Sequence, residues 1–268
     1  MNLRSETPKI KYSTDNFYQK GIEQKNTIKD KNGKIYTATT NTYVEKDIGV
    51  ERSYFVQLKE TKTDYYDGAG VPQITGVQAY DYDEYGNVIR FTDRGDVIDS
   101  SDDITAEIIY EYRPTQYLMA LPVKITVIDG QGTVLRQRTG AFDTLGRLRS
   151  ITQVSGNTSS TTTMDYYDDG NLKMVVYPPN DRSQRYSLTY TYDSSVQTYI
   201  TQVKDVFGLT SSSLYDIKYG LPLVTTDTNR NTMYYYYDTY GRTERIAGPY
   251  DAGSYTISFN YDIAITPF

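Results

Sequence analysis

Among its 268 residues the chain has no cysteine, no histidine and no tryptophan. Without cysteine there is no disulfide, no thiol nucleophile and no thiolate metal site, and without histidine the commonest metal ligand and general base are gone. Chemistry is left to carboxylates, Ser/Thr, Lys and Tyr, and neither a cofactor nor a metal is expected. A cysteine-free chain also suits export, because no redox compartment can cross-link it. Basic side chains number 28 against 34 acidic ones, a net charge of −6 that argues against nucleic acid as the main partner. No apolar run approaches a membrane span, and Met1-Asn2-Leu3-Arg4-Ser5-Glu6 lacks the apolar core of a signal peptide. At 38% apolar and 23% charged residues, with scattered glycine and proline, the chain is neither collagen-like nor disordered by charge.

What is abundant is tyrosine, 30 residues against 7 phenylalanines, and it recurs in a phrase. The phrase is an aromatic, an aspartate, two variable residues and a glycine, followed by a polar-apolar alternation. It reads Tyr82-Asp83-Glu84-Tyr85-Gly86-Asn87-Val88, Phe142-Asp143-Thr144-Leu145-Gly146-Arg147-Leu148 and Tyr237-Asp238-Thr239-Tyr240-Gly241-Arg242-Thr243. Glycine also follows aspartate by three at Asp67/Gly70, Asp129/Gly132 and Asp205/Gly208. Looser copies occur at Asp168-Asp169-Gly170, one residue shorter, and at Asp216 to Gly220, one longer. The uneven spacing predicts a loose array of hairpins and not a strict solenoid. Each part of the phrase has a mechanical job: aspartate caps backbone N–H groups, glycine supplies a positive φ, and the tyrosine ring covers the outgoing strand. Asp83, Gly86, Asp143, Gly146, Asp168, Gly170, Asp238 and Gly241 are accordingly assigned as structural turn residues.

Helical periodicity is nearly absent, so the fold is expected to be all-β: antiparallel hairpins in a coiled, twisted sheet with edges that need covering. Residues 1–50 read as a lead-in, irregular to about residue 28 apart from a strand near Lys9 to Ser13, with the first hairpin after Asp30-Lys31-Asn32-Gly33. Residues 51–268 read as the repeat region.

These phrases, with Tyr219-Gly220-Leu221-Pro222 through Thr226-Asp227-Thr228-Asn229-Arg230-Asn231-Thr232 to Tyr237-Asp238, resemble the YD repeats of Rhs-type proteins and of bacterial Tc toxin-complex (TcB-like) proteins. The resemblance spans roughly Tyr54 to Tyr250. It implies a segment of a hollow β-shell that encloses a toxic polypeptide, secreted or delivered extracellularly as part of a larger assembly. Its implied partners are further YD-repeat segments or a toxin cargo, and the implied role is structural and non-catalytic. Two features depart from the family: the array is much shorter, and neither the aspartate-rich self-cleaving segment nor a toxin domain is recognisable. The competing reading is a secreted or cell-surface β module that holds carbohydrate or another protein.

Other candidates are weaker. Adjacent residues on a strand face opposite ways, so neither Asp102-Asp103 nor Asp168-Asp169 converges on one substrate as a glycosidase pair must. The run Asp227 to Asp238 has the outline of a calcium loop, but Thr232 stands where glycine is wanted and flanking helices are missing. Tyr234, Tyr235, Tyr236 and Tyr237 put two rings on each side of a strand, a candidate stacking surface. Arg136, Arg138, Arg147 and Arg149 alternate on consecutive strands, either as a basic ligand patch or as cross-strand partners of acids such as Asp129 and Glu111.

Overall fold

The computed structural model describes residues 9–251 and 254–261; the start Met1–Glu6 lies outside them. The described chain is all-β, with helix limited to the short 3-10 turns Ser100–Asp102 and Pro114–Gln116. Two compact units divide it: Met1–Gly146 with Ile151–Ser159, and Arg147–Ser150 with Ser160–Phe268. Residue 50, where the sequence suggests a boundary, lies in the turn that joins the paired strands β3 and β4.

The first unit holds β1 (Lys9–Tyr12), β2 (Glu23–Lys29), β3 (Ile35–Asp47), β4 (Tyr54–Tyr65), β5 (Ile74–Tyr82), β6 (Val88–Arg94), β7 (Ile104–Arg113), β8 (Leu118–Asp129) and β9 (Val134–Phe142). Strands β10 (Leu148–Ser155) and β11 (Thr158–Tyr166) each carry residues assigned to both units. The second unit continues with β12 (Leu172–Pro179), β13 (Arg185–Tyr192), β14 (Ile200–Asp205), β15 (Thr210–Asp216), β16 (Leu221–Thr226), β17 (Thr232–Tyr237), β18 (Thr243–Ala247) and β19 (Ile257–Ser258). Within each unit every strand pairs antiparallel with the next in sequence. Strand β2 lies in the stretch that the sequence presents as irregular: Glu23-Gln24-Lys25-Asn26 lacks the apolar alternation that signals a strand, yet it pairs with both β1 and β3.

A meander of this kind sends successive turns to alternate ends of the strands. Within each unit, therefore, all turns from an odd to an even strand share one rim, and all turns from an even to an odd strand share the other. The phrase turns at Asp83, Asp143 and Asp238 fall on the first rim, whereas Tyr66-Asp67 follows β4 and lies on the second.

The pairing slips at that rim. Asp81 faces Arg90 but Tyr82 faces Val88, which leaves Ile89 as an extra residue on the outgoing strand. The same bulge occurs at Tyr43/Leu58, Tyr110/Pro122, Tyr166/Leu172, Tyr192/Ile200, Tyr215/Pro222 and Tyr237/Thr243. A bulge of this type bends and twists its strand.

Little is deeply buried. Among the described residues the buried apolar side chains are Ala38, Val77, Leu121, Val127 and Ala247, and no large side chain is fully enclosed. Strands pack principally on their sequence neighbours, so half-buried rings, above all tyrosines, cover the sheet in place of a second layer. An amphipathic ring suits a surface that is neither core nor fully wet.

Candidate functional site

In each unit the tyrosine-aspartate rim is built hairpin by hairpin. In the turn after β5, Asp83 Oδ1 accepts the N–H groups of Tyr85 and Asn87, both at 2.8 Å, and the Asp83 N–H returns a bond to the Asn87 carbonyl at 3.0 Å. Asp143 accepts the Leu145 N–H at 2.9 Å. Asp238 accepts those of Tyr240 and Arg242, and its second oxygen takes the Arg242 Nε at 2.7 Å.

The turn at residues 167–171 differs from the sequence assignment. Tyr167 occupies the place that Asp83 holds, with its N–H on Asn171 O and the Gly170 N–H on Tyr167 O, so the turn is of ordinary length. The carboxylate that reaches the Asn171 N–H belongs to Asp169, at 2.9 Å, and not to Asp168. Asp67 and Gly70 also do not form the phrase's turn: Gly68 takes the positive φ, of 75°, and the closing bond runs from the Ala69 N–H to Tyr66 O.

Glycine at this rim has two duties. Gly86 sits at φ 90°, and a Cβ there would come within 2.9 Å of the Phe55 ring. The rim is thus close-packed at Gly86 and at Gly146, where Leu118 lies beneath, and open at Gly170.

Hydroxyls connect one hairpin to the next. In seven places a tyrosine at or near the end of an incoming strand donates to the carbonyl of the residue at the preceding hairpin's bulge. Tyr43 reaches Glu23 O at 3.0 Å, Tyr82 reaches Leu58 O at 2.9 Å, and Tyr110 reaches Val88 O at 3.1 Å. In the second unit Tyr166 reaches Leu148 O at 2.8 Å, Tyr192 reaches Leu172 O at 3.1 Å, Tyr237 reaches Pro222 O at 2.7 Å, and Tyr261 reaches Thr243 O at 2.8 Å. Each acceptor but Leu148 is also the register partner of the preceding hairpin's terminal tyrosine: Val88 pairs with Tyr82 and takes the hydroxyl of Tyr110. This relay explains the preference for tyrosine over phenylalanine.

Further ties run from turn to turn. Lys46 Nζ donates to Asp83 O at 2.9 Å, Asn87 Nδ2 to Met119 O at 2.6 Å, and Arg113 Nη1 to Asp143 O. In the second unit Arg147 Nη1 donates to Tyr167 O at 3.1 Å and Asn171 Nδ2 to Gln197 O at 2.6 Å.

Two carboxylates show how polar this rim is. Partial burial pushes the Asp83 carboxyl up, but bonds from the Asn87 and Tyr112 side chains and from the Asn87 and Tyr85 N–H groups outweigh it and leave the group below the usual carboxylate range. In return, the hydrogen bond to Asp83 pushes the Tyr112 phenol up to about 12, with desolvation adding to it. Asp193, only 7% exposed, is the residue that sequence reasoning missed. Its two oxygens accept five N–H groups, from Ser195, Val196, Gln197, Thr198 and Tyr199, at 2.7 to 3.2 Å. The Val196 N–H leads in holding its carboxyl far below the ordinary range; desolvation opposes it, and the Tyr199, Thr198 and Ser195 N–H groups reinforce it. The Tyr192-Asp193 dipeptide was the available signal, hidden because no glycine closes that loop.

The remaining candidates separate. Tyr235 and Tyr237 turn to one face of β17, where Tyr235 Oη meets Thr225 Oγ1 at 3.3 Å and Tyr237 serves the relay. Tyr234 and Tyr236 project from the other face and are exposed. Arg149 pairs with Asp165 at 2.8 Å, and Arg147 stacks 5.1 Å above the Tyr166 ring. Arg136 and Arg138 are exposed opposite Val127 and Ile125. Neither acid expected to pair with the arginines does so: Glu111 holds Arg113 at 2.7 Å, and Asp129 caps the Gln131 and Thr133 N–H groups. Asp227 spends its carboxylate on the Asn229 and Asn231 N–H groups and the Asn231 amide, which makes the would-be calcium loop a capped turn.

No protein-family model matches the chain, and no curated protein matches it. Solved structures do. It aligns with the crystal structure of TcdB2-TccC3-Cdc42 at a TM-score of 0.60 and 12% identity, over 86% of this chain and 16% of that one. The TcdB2-TccC3 crystal structure gives 0.59 and 12%, over 86% and 17%. A Photorhabdus luminescens Tc holotoxin pore structure gives 0.59 and 12%, over 86% and 16%. The chain thus spans about one sixth of the length of the proteins it matches, and its antiparallel hairpin array has the fold of part of a Tc-toxin-like β-shell.

Proposed function

We propose that this chain is a non-catalytic wall segment of an Rhs/Tc-toxin-like shell, one that assembles with further YD-repeat segments and encloses or carries a toxin polypeptide. The observation that carries this reading is the combination of a shell-type fold with an almost absent core. A sheet that buries so little apolar surface gains less from packing than a globular domain of this length. The tyrosine relay and the turn-to-turn ties supply stiffness along the rim instead, which is what a thin wall needs. The polar groups of the rim support the same view: Asp83, Asp193 and Asp238 have their carboxylates committed to backbone and side-chain donors, so they are spent on shape.

Delivery outside the cell as part of a larger assembly follows from this reading. No helix among the described residues is long and apolar enough to cross a membrane.

Light scattering after size exclusion, together with hydrogen exchange of the terminal strands β1 and β19, tests the proposal. A wall segment should associate, or should leave the backbone amides of β1 and β19 unprotected until flanking YD-repeat segments are co-expressed. A monomer whose β1 and β19 amides are as protected as those of β7 would mean a self-contained module and would overturn the wall reading.

A further inference from the structure

Beside the sheet of the second unit lies a cleft of about 550 Å³ whose walls include Arg230, Tyr234, Tyr236, Asp251, Ser254 and Tyr255. It exists because of what faces Tyr234. The register partner of Tyr234 is Ala247, whose methyl group leaves room beside the ring, and the chain then departs from β18 through Gly248 and Pro249. It returns at Thr256, whose N–H bonds Ile246 O at 2.9 Å and whose hydroxyl accepts the Gly248 N–H at 2.7 Å and donates to Asp251. The far wall is therefore pinned.

The groups in the cleft are of two kinds. Tyr236 and Tyr255 stand edge to face with centroids 5.5 Å apart, and Arg245 locks them by lying 4.6 Å above the Tyr255 ring while donating to its hydroxyl at 2.9 Å. The Tyr234 ring, 45% exposed, has no aromatic or cationic partner among the described residues. Arg230 likewise has no ion pair or side-chain hydrogen bond among them, since the neighbouring Asp227 is committed to Asn229 and Asn231. Arg230 also stands at φ 68°, an unfavourable conformation for a residue with a side chain, in the turn position that glycine fills after Asp129 and Asp205.

We propose that this cleft is a binding site for a neutral oligosaccharide. A sugar ring offers an apolar C–H face and a rim of hydroxyls that both donate and accept. Tyr234 supplies an unoccupied ring for the former, and Arg230, Ser254 and Asp251 supply donors and acceptors for the latter. The size lies within the range of small-ligand sites. One arginine against one aspartate leaves the lining without net charge, and the chain as a whole is acidic, which disfavours an anionic polymer. The proposal does not depend on the wall reading.

The test is isothermal titration of the purified chain with cellotriose, maltotriose and chitotriose, each up to roughly 10 mM, together with single-stranded dT12. Saturable binding of at least one trisaccharide is expected, weakened about tenfold or more by Tyr234→Ala and by Arg230→Met. Tyr177→Ala, a change of an exposed ring elsewhere, should leave it unaltered. Circular dichroism melts of both variants should match the wild type, because neither side chain holds an ion pair, hydrogen bond or ring partner among the described residues. Absence of binding to all three sugars overturns the proposal, as does binding that survives both substitutions. Binding of dT12 alone, lost in Tyr234→Ala, overturns it in favour of a nucleic-acid site.

Discussion

The two rims use the same turn for different ends. On the rim of even-to-odd turns, Asp129 caps the Gln131 and Thr133 N–H groups and Asp205 caps those of Phe207 and Leu209, with the geometry found at Asp83. Yet Gly132 and Gly208 have nothing near the place of a Cβ, and two other turns of that rim put Ser183 and Arg230 at positive φ in the glycine's position. On the tyrosine-aspartate rim a Phe55 ring lies under Gly86 and a hydroxyl from the next hairpin closes on the bulge of the outgoing strand, whereas the bulge beside the Asp129 turn, at Ile128/Val134, receives no such hydroxyl among the described residues. An Asp-x-x-Gly turn thus folds a hairpin by itself, whereas the hydroxyl links from one hairpin to the next come from the tyrosines of the tyrosine-aspartate rim.

The sharpest break in the comparison is Asp193→Ala, set against Asp205→Ala. The first removes a 7%-exposed carboxylate that gathers five N–H groups of its loop, and the second removes a half-buried one that caps two. Thermal melts should show Asp193→Ala as the more damaging by a wide margin; equal losses would mean that the loop re-forms without its carboxylate. The pH dependence follows the same logic. The folded-state pKa values of Asp83, Asp193, Asp227 and Asp238 are depressed, so the stability they contribute is complete above the unfolded carboxylate value, about 4, and is lost as pH falls through the lower folded values. Acid titration of Asp193→Asn should show a shallower loss of stability below pH about 4 than the wild type.

Next in size is the glycine contrast. Gly132→Ala should cost about 1 kcal/mol for the positive φ alone. Gly86→Ala adds the clash with the Phe55 ring and should cost about 3 kcal/mol in total, measured by urea denaturation. Gly86→Ala together with Phe55→Ala should recover part of the difference. Identical costs at the two glycines would show that the rims are mechanically equivalent.

How much of this was legible in the sequence depends on range. The turns at Asp83, Asp143 and Asp238 could be read because their signals are local: a carboxylate, a glycine and an alternation within eight residues. The all-β meander followed from the same signals. The turn at Tyr167 was misread by one residue because Asp168 and Asp169 are both plausible caps, and only the backbone bonds of Gly170 and Asn171 decide between them. Strand β2 escaped because its neighbours make it a strand. Tyrosine was recognised as a cover for the sheet, but its hydroxyl acceptor lies 15 to 24 residues upstream, in another hairpin, and no local pattern reports that distance. The pairing of Tyr234 with Ala247, which opens the cleft, is similarly a fact of register.

The relay itself gives a smaller contrast. Tyr82→Phe and Tyr192→Phe should each lose about 1 kcal/mol, the value of one hydrogen bond, whereas Tyr186→Phe, whose ring packs against Tyr177 with no hydroxyl partner among the described residues, should lose almost nothing. If all three lose the same amount, the hydroxyl bonds contribute no more than general hydration.

The smallest expected effect is also the most diagnostic, because it adds a bond instead of removing one. Phe142 ends β9 where its counterparts Tyr82, Tyr166 and Tyr237 carry a hydroxyl. The carbonyl that such a hydroxyl would seek is that of Pro122, which pairs with Tyr110 past a bulge just as Leu58 pairs with Tyr43. Phe142→Tyr should therefore stabilise the chain by up to about 1 kcal/mol, while Phe91→Tyr, in mid-strand and against the Tyr80 ring, should not. The difference between the two variants in urea isolates the position from the chemistry, since both add the same oxygen. A gain confined to Phe142→Tyr means that the hydroxyl links form a periodic pattern in which Phe142 leaves a gap; no gain means that each tyrosine hydroxyl is satisfied on its own terms and the regularity belongs to the bulges.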